Sequence, residues 1–136
     1  MIEMTLDIAD RAARAALAKA AAMGARMTVS VVDEAGRLVL TLKGDGTGFL
    51  TTETSRAKAV AAAAFRRSTR ELVEMQKTNP VFFAAVPVIS HSEALPSTGA
   101  VPIVVHGRVV GAIGCGGGSA DQDHDCASAG AAAVAA

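Results

Sequence analysis

VPIVVHGRVVGAIGCGGGSADQD, residues 101–123, reads as a β-hairpin that runs directly into a helix. Pro102–Val105 and Arg108–Gly114 are rich in β-branched residues, and His106-Gly107 between them has turn chemistry. Ser119 and Gln122 have the spacing of a capping box, in which each side chain satisfies a backbone N–H at the start of a helix. Asp121 and Asp123 put negative charge at the positive end of that helix dipole. Between strand and helix lie Gly111, Gly114, Gly116, Gly117 and Gly118. Glycines let a backbone approach other groups closely, and free N–H groups at a helix start attract carboxylate or phosphate. Two readings stay open: a cradle for an anionic ligand group formed by Gly116, Gly117, Gly118 and Ser119, or a tight strand-to-helix turn. A dinucleotide loop is rejected, because Asp121 and Asp123 would oppose phosphate and the preceding strand belongs to a hairpin rather than a βαβ unit.

Working outward, Thr28–Val32 and Arg37–Leu42 make a second hairpin across the turn Asp33-Glu34-Ala35-Gly36. Upstream of it, Thr5 can cap a helix reaching about Met23, with Gly24 to end it. Leu6, Ala9, Ala13, Ala16, Leu17 and Ala20 share one face of that helix, and Asp7/Arg11 and Asp10/Arg14 form i,i+4 pairs on the other. Lys43–Leu50 is a loop with three glycines. Thr51 or Thr52 can cap a helix over Glu53–Arg66, with Ala57, Val60, Ala61, Ala64 and Phe65 as its buried stripe. Ser68 and Glu71 form a capping box for a short helix from Thr69 to about Lys77, broken by Asn79-Pro80. Val86–Ile89 is expected to be a short edge strand despite Pro87, and Ser90–Ala100 a loop. The expectation is a single domain over residues 1–136, an α/β protein of the α+β type, with a mainly antiparallel five-stranded sheet flanked by helices.

Half of the 136 residues (51%) are apolar, but most of these are alanine and valine, only 3% are aromatic, and tryptophan and tyrosine are absent. Alanine buries little area, so the core should be thin and a homo-oligomer is expected to add burial. Thirteen basic residues balance thirteen acidic ones with no basic stripe, which argues against nucleic acid as a partner. No apolar run is long enough to span a bilayer, and the N-terminal segment carries Glu3, Asp7 and Asp10 among its apolar residues, unlike a signal peptide. Cys115 and Cys126 are not spaced as CxxC and are read as free thiols in a reducing, cytoplasmic setting.

Several residues are candidates for chemistry. His91 lies in the loop ISHSEALPSTGAVP near Ser92 and Glu93, where a histidine can act as acid–base group or metal ligand. His106 in its turn and His124 in the first turn of the last helix are read as solvated, and no zinc spacing is present. Cys115, among glycines at a helix start, is a candidate nucleophile if its thiol pKa falls, or else a small buried thiol. Lys43, Asp45, Glu53 and Lys58 surround the glycine loop and the helix after it, where they either line a cleft or form a solvated face.

The whole pattern resembles the GlcG/HbpS family, the haem-binding and haem-degrading group that includes the C-terminal domain of PduO-type proteins. The residues that carry it are VSVVDEAGRLVL, Asp45-Gly46, Ser55-Arg56-Ala57-Lys58-Ala59, GAVPIVVHGRVVGAIGCGG, and Gln122-Asp123 before Ala129-Gly130. The resemblance implies an antiparallel sheet of about five strands, assembly into dimers or larger rings, and a pocket near the glycine loop or at subunit contacts. It implies binding of haem, or of a corrinoid, in some members. This chain has Lys43-Gly44 where the family commonly has an arginine before the Asp-Gly loop, and Cys115-Gly116-Gly117-Gly118 where Val-Ser-Gly-Gly is usual.

Two functions follow as expectations. One is binding of a haem-like small molecule, with Val, Ala and Phe residues as the slot, Lys43 and the Ser119 helix start meeting the propionates, and His91 or Cys115 on the metal. The other is a cofactor-independent isomerase or lyase on a small organic acid, its carboxylate held by the Gly114–Ser119 backbone while His91 and Glu53 or Glu93 move protons.

Overall fold

The computed structural model describes residues 3–136; Met1 and Ile2, where the expected 1–136 domain begins, lie outside the described residues. The chain runs α1 (Leu6–Ala22), β1 (Thr28–Asp33), β2 (Leu38–Leu42), α2 (Thr51–Phe65), α3 (Thr69–Gln76), α4 (Pro80–Ile89), β3 (Ala100–Val105), β4 (Arg108–Gly116) and α5 (Ala120–Val134). The strands form one sheet in the order β2-β1-β4-β3, with every neighbouring pair antiparallel. Both hairpins stand where local turn chemistry places them, and β4 is joined to β1 with Ser30 opposite Gly114.

Among the described residues the sheet has four strands, not five. Val86–Ile89 belongs to α4. A short apolar run fits strand or helix equally, and the flanking chemistry decides. Pro80 occupies the first turn of α4, where its missing N–H costs nothing. Phe83 and Val86, three residues apart, turn inward against Ala61, Leu72 and Ala94. Pro87 falls close enough to the end of the helix to forfeit only one intrahelical bond.

Side chains alternate across the sheet. Val29, Val31, Ile113 and Cys115 face α1 and α5, where Ala9, Ala12, Ala13, Ala16, Cys126 and Ala127 close the main core. Leu6, placed on the apolar face of α1 by periodicity, is exposed at the first position of the helix. On the other face Val32, Ala100 and Ala112 meet Ala59, Ala62 and Ala63 of α2. Gly114 and Gly116 point to this same side and bring no side chain to it. A Cβ on Gly114 would collide with the Ser55 carbonyl oxygen and stand 2.9 Å from the Ala59 amide nitrogen. The glycines of β4 therefore let α2 lie directly on the sheet, close enough for Ser30 and Ser55 to hydrogen-bond at 2.7 Å. Leu50, not Thr51 or Thr52, is the N-cap of α2, and leucine supplies no capping side chain; the Thr51 hydroxyl donates to the Gly48 carbonyl and is shared with the Thr28 hydroxyl.

Candidate functional site

The strand-to-helix segment is closed by the protein's own groups. Ser119 and Gln122 make the reciprocal capping box, and the Gly118 amide donates to Asp123 Oδ1 at 2.9 Å. The other oxygen of Asp123 accepts from Lys58 Nζ at 3.1 Å, and Lys58 also donates to the Cys115 carbonyl at 3.1 Å. The side chains of Lys58 and Asp123 are only 10% and 6% exposed. This pair ties α2 on one face of the sheet to α5 on the other. Gly99, at φ 137°, lies against it, and a Cβ there would stand 2.9 Å from the Cys115 oxygen and 3.0 Å from Lys58 Nζ. Burial raises the Asp123 carboxyl pKa above its usual range, while the Lys58 charge, its hydrogen bond and the Gly118 amide pull it down. The carboxylate at this helix start is thus an internal one, and Gly116 packs against Thr54 of α2. Gly117 takes φ 121° to pass the Arg26 carbonyl.

Cys115 is fully buried, and burial, reinforced by Cys126 and Asp123, pushes its thiol pKa well above the usual value. It is held protonated in the core between sheet and α5. Lys43 is exposed and donates to the Thr47 carbonyl at 3.0 Å, closing its own loop, and Asp45 stands exposed beside it. His91 is exposed at the end of α4, where His91 and Ser92 adopt φ 54° and 66°. Among the described residues no three His, Cys, Asp or Glu side chains come together to hold a metal. His106 is exposed as expected; His124 is half-buried, in contact with Ser128, and burial, together with the Arg70 charge, lowers its pKa.

The larger hollows lie elsewhere, along the outer side of α2; a smaller one, of about 120 Å³, is lined by Met4, Asp33, Glu34, Arg37, Arg108 and Val110. Two hollows meet at Arg56. One, of about 610 Å³, is walled by Leu38, Val60 and the Ala35-Gly36-Arg37 turn, with Glu93 at its edge. The other, of about 220 Å³, is walled by Ala57, Pro87, Ala94 and Leu95, with Glu53 at its rim. The Arg56 side chain is 21% exposed; its Nη1 donates to Glu93 Oε2 at 2.7 Å and its Nη2 lies 3.6 Å from Glu53 Oε2. Glu93 is held in place from both sides. Upstream, the left-handed turn at His91-Ser92 is closed by Ser92 N–H donating to the Pro87 carbonyl. Downstream, the Leu95 amide donates to the Ala57 carbonyl of α2. Of the residues expected to act, Glu53 lines this groove and His91 stands one residue from it; Cys115, Lys58 and Gly116–Ser119 cluster at the sheet end, and Lys43 and Asp45 lie on the glycine loop. In the sequence Arg56 stood out only within the Ser55–Ala59 stretch that carries the resemblance; its i+3 spacing from Glu53 is common on solvated helices and gave no signal of a site.

The family model for "Haem degrading protein HbpS-like" matches residues 4–132, and the chain belongs to this family. HbpS from Streptomyces reticuli, solved as a double mutant, is 33% identical and superposes with a TM-score of 0.86, over 97% of this chain and 87% of that one. Protein GlcG of Escherichia coli K12 is 32% identical over 88 residues, 65% of this chain and 62% of GlcG. The crystal structure of a PduOC:heme complex shares the fold, with a TM-score of 0.86 at 23% identity over 97% of this chain and 95% of that one.

Proposed function

We propose that this protein binds a haem-type ligand, a flat apolar ring system carrying carboxylates, in the groove over Arg56. The observation that carries the reading is the groove itself: Arg56 stands at the junction of two hollows whose apolar walls are Leu38, Val60, Ala57, Pro87, Ala94 and Leu95, with Arg37 and Glu93 on the larger and Glu53, Thr54 and Ser92 on the smaller. Largely apolar walls around a mostly covered guanidinium suit a ligand that is apolar over most of its surface and anionic at one edge. Membership in the HbpS-like family supports the same ligand class. The fit is to the ring and its acids. No histidine, cysteine, methionine or tyrosine lines either hollow, so the groove offers the iron no axial side chain.

The organic-acid enzyme reading is less well supported, because Asp123 takes the Gly118 amide that would have held the substrate carboxylate. Exposed Val81, Phe82, Val88 and Ile89 on α4 support a homo-oligomeric contact along that helix. Two buried free cysteines support a reducing, cytoplasmic setting.

The test is a haem titration followed by the Soret band, on the wild-type chain and on Arg56→Gln. Binding at micromolar haem, weakened about tenfold or more by the substitution, is expected from loss of a charge-assisted contact. A chain that leaves the haem spectrum unchanged refutes the reading.

A further inference from the structure

Arg56 sits on the floor of the groove, yet its one hydrogen bond among the described residues is to an acidic side chain of the chain itself. Glu93 is 60% exposed, and Glu53, 70% exposed, stands within ion-pair distance but beyond hydrogen-bond distance. Both carboxylates therefore reach down from solvent onto a guanidinium that is mostly covered. Glu93 gets there because its backbone is pinned between the His91-Ser92 turn and the Leu95 amide bond to α2. A carboxylate in solvent that enters either hollow meets Arg56 with its Nη1 already bonded to Glu93 and the Glu93 charge standing beside the remaining N–H groups.

We propose that Glu93 is a built-in competitor for the ligand, and that the groove selects its ligand by a carboxylate that exchanges with Glu93 on Arg56, not by its metal. This rests on the haem-type reading above and names what the groove recognises in such a ligand. The exchange swaps one carboxylate–guanidinium hydrogen bond for another while the ligand ring covers Val60, Ala57 and Leu95. The released Glu93 side chain returns to solvent, which its exposure permits. No axial group is required, in keeping with the residues that line the two hollows.

The experiment uses three probes on the full chain: haem, metal-free protoporphyrin IX, and its dimethyl ester, which keeps the ring and removes both acids. Metal-free protoporphyrin is expected to bind within about threefold of haem, and the ester about tenfold or more weakly than the free acid, as loss of a charge-assisted bond requires. Glu93→Gln is expected to tighten the free acid about fivefold, the scale of an exposed ion pair released, and to leave the ester unchanged. Glu74→Gln, the same charge change on α3 away from the groove, should alter nothing. The proposal is overturned if haem binds while the ester binds as tightly as the acid, or while Glu93→Gln has no effect. It is also overturned if haem exceeds the metal-free ring by more than about tenfold and loses that margin in His91→Ala, because the metal is then recognised. In each of those cases haem still binds and the haem-type reading survives; it falls, with this inference, when haem does not bind.

Discussion

Replacing Asp123 by alanine removes one half of the most deeply covered ion pair among the described residues. Lys58 then keeps its bond to the Cys115 carbonyl but faces a vacated site with its side chain 10% exposed, and the Gly118 amide loses its acceptor. Stranding one partner of a buried pair costs about 3–5 kcal/mol, far more than the pair itself contributes over an apolar replacement. For a chain of this size that corresponds to a fall in Tm of roughly 10–20 °C. Lys58→Met should behave differently. The carboxyl it leaves behind has a pKa already raised by burial, and loss of the Lys58 charge removes what most opposes that rise. The folded state then holds a proton that the unfolded chain releases, so stability falls as pH climbs from the usual aspartate range through the folded-state pKa and is level above it. Lys58→Met is therefore expected to be milder at about pH 5 than at about pH 8, whereas Asp123→Ala is severe at both. The double variant should cost no more than Asp123→Ala, as expected for coupled partners. Urea unfolding followed by circular dichroism measures all of this; the chain has no tryptophan or tyrosine to report by fluorescence. A loss below about 1 kcal/mol in Asp123→Ala, or a double variant costing the sum of the singles, would refute the reasoning.

Gly114→Ala is expected to destabilise by about 3 kcal/mol, because its Cβ meets the backbone of α2 rather than a movable side chain; a stable protein with unchanged helix packing would show that α2 does not lie directly on β4. His124 has a lowered pKa, so the folded state resists its protonation. Stability should be full above about pH 6.5 and decline as pH falls through that value, and His124→Gln should flatten the decline. Arg70 opposes the proton there while Asp125 and Asp121 favour it, so Arg70→Gln should shrink the same decline; a pH profile identical in all three proteins counts against the assignment.

Much of the fold is local and was readable as such. The side-chain N-cap at Ser68 and the capping box at Ser119 depend on residues three apart, and the Asp7–Arg11 and Asp10–Arg14 pairs on residues four apart; at Ser68 the box is only half made, because Glu71 accepts from the Ser68 hydroxyl and not from its backbone N–H. The hairpin turns at Gly36 and Gly107 need positive φ, which glycine supplies. These features hold wherever the rest of the chain goes. Val86–Ile89 was misread because four apolar residues carry no period of their own. Their helical state is settled by Pro80 upstream and by the pocket that receives Phe83 and Val86.

The site was far less legible. Glu93 meets Arg56 across 37 positions in sequence, and Asp123 meets Lys58 across 65. No spacing rule reaches that far. The glycines of 101–123 show the division most sharply. Sequence alone established that a hairpin strand passes through them into a capped helix, because turn and cap chemistry act over a few residues. Their partners were decided by the tertiary structure, which brings α2 onto Gly114 and Gly116 and turns Asp123 back onto Gly118. Close packing between elements distant in the chain fills the place that local rules could only describe as open to an anion.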